Sequence, residues 1–155
     1  MTLADPTFDV RSEPDGPAGT RPKLLILITE DWFFYSSRLP MARAACDAGF
    51  AVTVATRVRD HGELIRAEGF ALRPLAWKRR GDGILGTCRA LIAIARLYRA
   101  ERPDLVYHVA LKAIVFGAIA LRLAFPFGRG MPARVAAVTG LGAVFNRASS
   151  GRASR

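Results

Sequence analysis

The sequence predicts an α/β fold: a parallel sheet with helices on both faces. Two observations carry that expectation. Short β-branched or apolar runs alternate along the chain with segments of helical periodicity, and such alternation implies right-handed βαβ units. The first run, KLLILIT at 23–29, is apolar almost throughout, as a strand covered on both sides must be.

Each element follows from local chemistry. After the first strand, Ser36 or Ser37 is placed to cap a helix running to about Ala48, with Pro40 in its first turn and Gly49 as its stop. FAVTVATR (50–57) reads as a second strand, DHGELIRAEG (60–69) as a short helix and FALRPLA (70–76) as a third, weaker strand. The basic WKRRGDG (77–83) is a loop. From Ile84 to Arg102 an amphipathic helix places Ile84, Cys88, Leu91, Ala95 and Tyr98 on one face, and Pro103 ends it. DLVYHV (104–109) is a fourth strand, 111–124 a fourth helix, PFGRGMP (126–132) a loop and ARVAAVT (133–139) a fifth strand. Residues 1–20 and 148–155 read as loose tails around one domain at 21–147. The N-terminal tail lacks the apolar stretch of a secretory signal.

The balance of 23 Lys and Arg against 13 Asp and Glu gives +10. An anionic partner fits this excess: a phosphorylated ligand, an acidic membrane surface or a nucleic acid. Codon usage alone also yields arginine-rich chains. Scattered basic residues and the lack of a recognition helix or RNA-type motif argue against nucleic acid. Cys46 and Cys88 stand far apart within helical patterns and read as buried thiols, with no metal spacing and no disulfide framework. The segment from Val109 to Phe125 imitates a membrane span, but Lys112 and Arg122 leave only nine uncharged residues between Ala113 and Leu121. A span needs about 20.

Ligands of open α/β sheets bind outside the carboxyl ends of the strands, and three unusual segments fall on that edge. Trp32, Phe33, Phe34 and Tyr35 follow the first strand as a loop in which one or two rings serve the core and the rest are exposed, suited to a lipid chain or a sugar face. Glu30 and Asp31 precede them, either as helix-dipole partners or as a base or hydroxyl-binding pair for an acceptor. Arg38 is either a surface charge or an anion ligand. His108 ends the fourth strand, either as a hydrogen-bonded structural residue or as a functional one, with Lys112 in the apolar stretch beyond it. Thr139-Gly140-Leu141-Gly142 follows the fifth strand, a tight turn or a place of close backbone approach. The dinucleotide fingerprint GxGxxG is missing after the first strand and no GxxxxGK[ST] occurs, so a nicotinamide enzyme loses ground.

Taken in order, EDWFFYSSRLPMARAACDAGFAVTVATR, HGELIRAEGF, ERPDLVYHVALK and AAVTGLGAVF resemble the N-terminal domain of family 4 glycosyltransferases over residues 22–147. The likeness is greatest to bacterial enzymes of polysaccharide and lipid-linked glycan synthesis. The resemblance implies one Rossmann-like half of a GT-B fold, the half that mainly holds the acceptor. The other half would hold the nucleotide-sugar donor, which is a substrate and not a cofactor, and transfer would retain configuration without a metal. Carried over, Glu30, Asp31, Trp32, Phe33, Phe34, Tyr35 and Arg38 would shape the acceptor side. His108 and Lys112 would face the cleft as catalytic groups, and Thr139, Gly140 and Gly142 would form a cleft loop. Where relatives often carry His before the arginine of the first helix, this chain has Ser37. The expected partners are a nucleotide-sugar, a glycan or lipid-linked acceptor, an anionic membrane surface and a separate donor domain, since none follows within the sequence. A single domain so described would be inactive alone, and would be cytoplasmic, at the inner membrane face. The competing reading is a basic α/β binding module held to an anionic membrane or a partner chain by Lys78, Arg79, Arg80, Arg89, Arg96 and Arg99.

Overall fold

A computed structural model describes residues 21–76 and 83–138. Five parallel strands form one sheet in the order β3-β2-β1-β4-β5. They are β1 (Lys23–Glu30), β2 (Ala51–Arg57), β3 (Ala71–Pro74), β4 (Leu105–Val109) and β5 (Ala133–Ala137). The helices are α1 (Asp31–Ser37), α2 (Leu39–Asp47), α3 (Gly62–Ala67), α4 (Gly83–Glu101) and α5 (Leu111–Ala124).

Strand alternation divides the core into two layers. Leu24, Ile26 and Ile28 of β1 pack with Phe34, Leu39 and Ala42 of α1 and α2 and with Ile65 of α3. Leu25 and Leu27 point the other way, onto Ile94, Ala95 and Tyr98 of α4 and Ala113, Ala120 and Leu121 of α5. Each fully buried Leu or Ile contributes roughly 1.5–3 kcal/mol, which makes β1 the most heavily stabilised strand.

Three sequence expectations change. The helix expected from Ser36 or Ser37 to Ala48 is two helices, and the first begins at once after β1. The aromatic run is therefore helical and not a loop. Pro40 sits at the start of α2, where its missing N–H costs nothing, and Arg38 marks the break between the helices. Neither serine caps: Ser37 Oγ donates to the Phe33 carbonyl at 2.6 Å and Ser36 Oγ to the same oxygen at 3.4 Å. In α4, Ala95 and Tyr98 are buried as expected, together with Ile94, but Ile84 is 84% exposed because this end of the helix overhangs the core. Cys88 is exposed and Cys46 only half-buried, so the expectation of two buried thiols fails for the same overhang at Cys88. Both are free thiols.

The two edges of the sheet differ. At the amino-terminal edge Asp104 joins three strands. Its carboxylate accepts from the Lys23 amide at 2.8 Å, its own amide donates to the Lys23 carbonyl at 3.0 Å, and its carbonyl accepts from the Ala133 amide at 2.9 Å. The carboxyl edge is less closed. Strand order reverses between β1 and β4, each of which pairs in parallel with the other, and such a switch point opens a crevice there.

Candidate functional site

At the carboxyl edge β1 loses regular register with β2 between Leu27 and Glu30, and Glu30 comes to lie opposite Arg57. Glu30 is shared by two guanidinium groups, Arg57 Nη1 and Arg59 Nε, each 3.7 Å from a carboxylate oxygen. That separation is an ion pair without a hydrogen bond. Neither arginine makes a side-chain hydrogen bond to Glu30, and the side chain of Arg59 is half exposed.

Asp31 does different work. Its side chain is fully buried, with Oδ1 accepting from the Trp32 amide at 2.8 Å and Oδ2 from the amides of Arg59 at 2.6 Å and His61 at 3.0 Å. Burial pushes its pKa up, but the three amide donors outweigh burial and hold the carboxyl below the usual value. A carboxylate engaged in this way clamps the β2–α3 loop to the end of β1. Both of its oxygens are committed to backbone amides.

The four aromatics divide their faces as a helix requires. Phe34 is buried edge-on to Phe70, with ring centroids 6.0 Å apart. Tyr35 lies beside the His61 ring at 5.5 Å. Phe33 lies between Trp32, at 5.6 Å, and the Arg38 guanidinium, at 6.0 Å. Trp32 is 50% exposed. Phe33 and Tyr35 are half-buried against the core beside Phe34, so the exposed remainder expected from the sequence reduces to the single ring of Trp32.

Three buried side-chain atoms lack a hydrogen-bond partner among the described residues: Arg38 Nε, Thr56 Oγ1 and His61 Nδ1. They belong to the α1–α2 junction, the last turns of β2 and the β2–α3 loop. All three segments lie at the carboxyl edge.

His108 is not at the cleft. It stands one residue before the end of β4, opposite Leu27 and Ala136, and alternation turns its ring toward α4 and α5, where it is 2% exposed. Its Nε2 lies 2.9 Å from the Tyr98 hydroxyl. Gly117 leaves the space for the ring: a Cβ there would come within 2.7 Å of Cε1 and 2.8 Å of Cδ2. Burial, helped by the positive charge of Arg134, pulls the imidazole down to about 4, and burial raises the Tyr98 hydroxyl above its ordinary value. The expected cleft-facing histidine is thus a neutral bridge inside the core.

Beyond β4, Ala110 has φ 73° and ψ 151°, a conformation nearly confined to glycine. It aligns its amide with the Ala137 carbonyl at 3.1 Å and its carbonyl with the Ile114 amide at 3.0 Å, which sets the start of α5. No side chain caps α5. Lys112, half-buried in its first turn, holds Nζ 5.5 Å from the Phe116 ring centroid, so its charge is lodged on an aromatic face. Thr139, Gly140 and Gly142, like Lys78, Arg79 and Arg80, lie outside the described residues. Among the described residues no cluster of three His, Cys, Asp or Glu side chains is arranged to hold a metal. No described helix is long and apolar enough to cross a membrane.

Sequence reading passed over Arg57, Arg59, Thr56 and His61. Their signal was much like the one that singled out the aromatics, a position at or just past a strand end, but it sat in a segment without unusual composition.

A family model described as glycosyl transferase 4-like matches residues 23–151. The chain belongs to this family. Its fold has counterparts in two solved glycosyltransferase structures. The glycosyltransferase of Rickettsia africae is 8% identical, with a TM-score of 0.57 over 76% of this chain and 30% of that one. The MurG of Acinetobacter baumannii is 15% identical, with a TM-score of 0.54 over 81% of this chain and 39% of that one. At these identities the likeness is one of fold. This glycosyl transferase 4-like chain thus spans 30% and 39% of the length of those two structures. No curated protein sequence matches it. The Rossmann-like, GT-B half expected from the sequence is the fold observed.

Proposed function

We propose that this chain is the acceptor-binding half of a retaining glycosyltransferase that moves a sugar from a nucleotide-sugar to a glycan or lipid-linked acceptor. One observation carries the reading. The buried side-chain atoms left without partners, Arg38 Nε, Thr56 Oγ1 and His61 Nδ1, belong to segments at the carboxyl edge beside β1 and β2, the edge outside which open α/β sheets bind ligands. Buried polar atoms are normally paired, and a hydroxyl-rich ligand would pair these. Trp32 adds an exposed apolar ring for a sugar face or a prenyl chain, and Arg57 and Arg59 add uncommitted donors for a phosphate. Retention of configuration and division of acceptor from donor rest on the resemblance of the HVALK and VTGLG segments. Lys112 stays in the proposal as a cation beside the crevice. His108 does not, because its ring is inside the core, and Asp31 enters only as the clamp that positions Arg59 and His61.

Calorimetric titration tests the reading. A short-chain polyprenyl-diphosphate N-acetylglucosamine should bind the chain, and a uridine-diphosphate sugar alone should not. Trp32→Ala and Arg59→Ala should each weaken acceptor binding by about tenfold, a loss of roughly 1.4 kcal/mol. Binding of the nucleotide-sugar without acceptor, or acceptor binding indifferent to both substitutions, would overturn the assignment.

A further inference from the structure

The amino-terminal edge of the sheet, opposite the candidate site, has a hollow of its own. The last turn of α4, the start of β4 and the loop after α5 enclose a groove of about 570 Å³, walled by Arg99, Arg102, Asp104, Phe125 and Arg129. Through Phe125 and Arg129 it adjoins a space of about 490 Å³ that Pro126 and Phe127 complete. Small-molecule sites have volumes of this order. Charge around the groove is unbalanced. The carbonyl ends of α4 and α5 carry partial negative charge, and each is already answered. Lys23 Nζ donates to the Glu101 carbonyl at 3.3 Å, and Arg99 donates from Nε to the Ala124 carbonyl at 3.0 Å and from Nη2 to the Leu123 carbonyl at 2.6 Å. The nearby acids are engaged too, Glu101 with Arg73 and Asp104 with the Lys23 amide. Arg102 and Arg129 are surplus: both are exposed, and neither makes an ion pair among the described residues.

Backbone conformation sets these two arginines apart. Arg102 follows α4 with φ 45°, the left-handed conformation that glycine usually supplies at a helix end. An arginine kept there at a conformational cost points to use of its side chain. Arg129 stands between Gly128 and Gly130, each at φ 71°, in a loop closed by the Gly128 amide on the Phe125 carbonyl at 3.1 Å. The rest of the lining is hydrocarbon, from Pro103, Ala124, Phe125 and Pro126, with the Phe127 ring 90% exposed beside them. It holds no hydroxyl or amide side chain to read a sugar or a base. We propose that the groove binds a small, soluble phosphate monoester whose organic group is aromatic or aliphatic. A monoester carries about 1.5–2 negative charges at neutral pH, which the surplus guanidinium groups of Arg102 and Arg129 balance, and arginine forks pair well with phosphate oxygens. The apolar wall then covers the ester group, with Phe125 and Phe127 as its aromatic faces. The inference stands apart from the acceptor reading, which concerns the other edge.

Calorimetric titration of the full chain with 1-naphthyl phosphate tests it, with inorganic phosphate and 1-naphthol as the two halves of the probe. The ester should bind at one site, about tenfold or more tighter than inorganic phosphate, and the neutral naphthol should not bind. Arg102→Gly is the decisive variant. It installs the residue that the backbone prefers, so the unfolding temperature should hold or rise while affinity for the ester falls about tenfold. Arg129→Ala should lower affinity by a similar factor. Phe127→Ala should bring the ester and inorganic phosphate closer in affinity. Arg89→Ala, an equal loss of charge elsewhere on α4, should change nothing. Phosphatidic acid vesicles, which present the same monoester in a bilayer, should not displace the probe. The proposal is overturned by no saturable binding of the ester, by unchanged affinity in Arg102→Gly and Arg129→Ala, by an equal loss in Arg89→Ala, or by displacement of the probe by the vesicles.

Discussion

The two sides of the sheet use charge in opposite ways. Toward α1–α3, several charges have fixed partners: Arg43 holds Glu68 across α2 and α3, Arg66 holds Glu63, and Asp31 takes three backbone amides. Toward α4 and α5, the buried polar contact is neutral, between Tyr98 and His108, and the fixed charges sit at helix ends, Glu101 on Arg73 and Arg99 on the carbonyls of Leu123 and Ala124. The difference teaches where shape is set. On the first side a buried ion positions the loop that completes the carboxyl edge. On the second, close packing of Gly117 on an imidazole positions the helices.

Removing the ion is expected to have the largest effect. Asp31→Ala leaves three amides with no acceptor, and each orphaned buried donor costs about 1–3 kcal/mol. A total of roughly 3–5 kcal/mol is expected in urea unfolding, with the β2–α3 loop the first segment to lose amide-exchange protection. Asp31→Asn, which retains one acceptor oxygen, should fall between. On the other side, Gly117→Ala drives a methyl into the His108 ring and should cost about 2–3 kcal/mol. His108→Ala combined with Gly117→Ala should restore part of that loss, since the clash is then gone.

Acid separates the two sides further. His108 is held down to about 4 from an ordinary value of 6.5. The unfolded chain therefore takes up this proton first, and stability is lost as pH falls from 6.5 toward 4, by an amount on the order of 3 kcal/mol. The Asp31 carboxyl is held below its usual value, so its contribution persists through that window and is lost only at lower pH, as the folded carboxyl takes up its proton. His108→Gln should flatten the upper limb of a pH–stability curve and Asp31→Asn the lower limb. The smallest effect concerns the junction that joins the two sides. Ala110→Gly relaxes a left-handed backbone and should stabilise by up to about 1 kcal/mol; a decrease in stability would mean that the methyl packs usefully.

The fold was legible because its signals are one-dimensional. The apolar run of β1, the alternation of elements and the stops at Gly49 and Pro103 each act on their own segment. The site was less legible because its geometry arises between segments. Nothing local to Asp31 says that the amides of Arg59 and His61 will reach it. Nothing local to His108 distinguishes a ring turned into the core from one turned to the cleft; one step of strand alternation decides it, together with the space at Gly117. Sequence placed the aromatic run correctly past a strand end, but not the short helix that distributes the four rings, which is separate from the helix that Pro40 helps to start.

The central claim, that ligand is held at the carboxyl edge of β1 and β2, is tested most directly by amide chemical-shift mapping of the labelled chain with the short-chain polyprenyl-diphosphate N-acetylglucosamine. The account predicts that shifts concentrate at Trp32, Tyr35, Arg38, Arg59 and His61. Shifts confined to the amino-terminal edge around Lys23, Asp104 and Ala133 would contradict it.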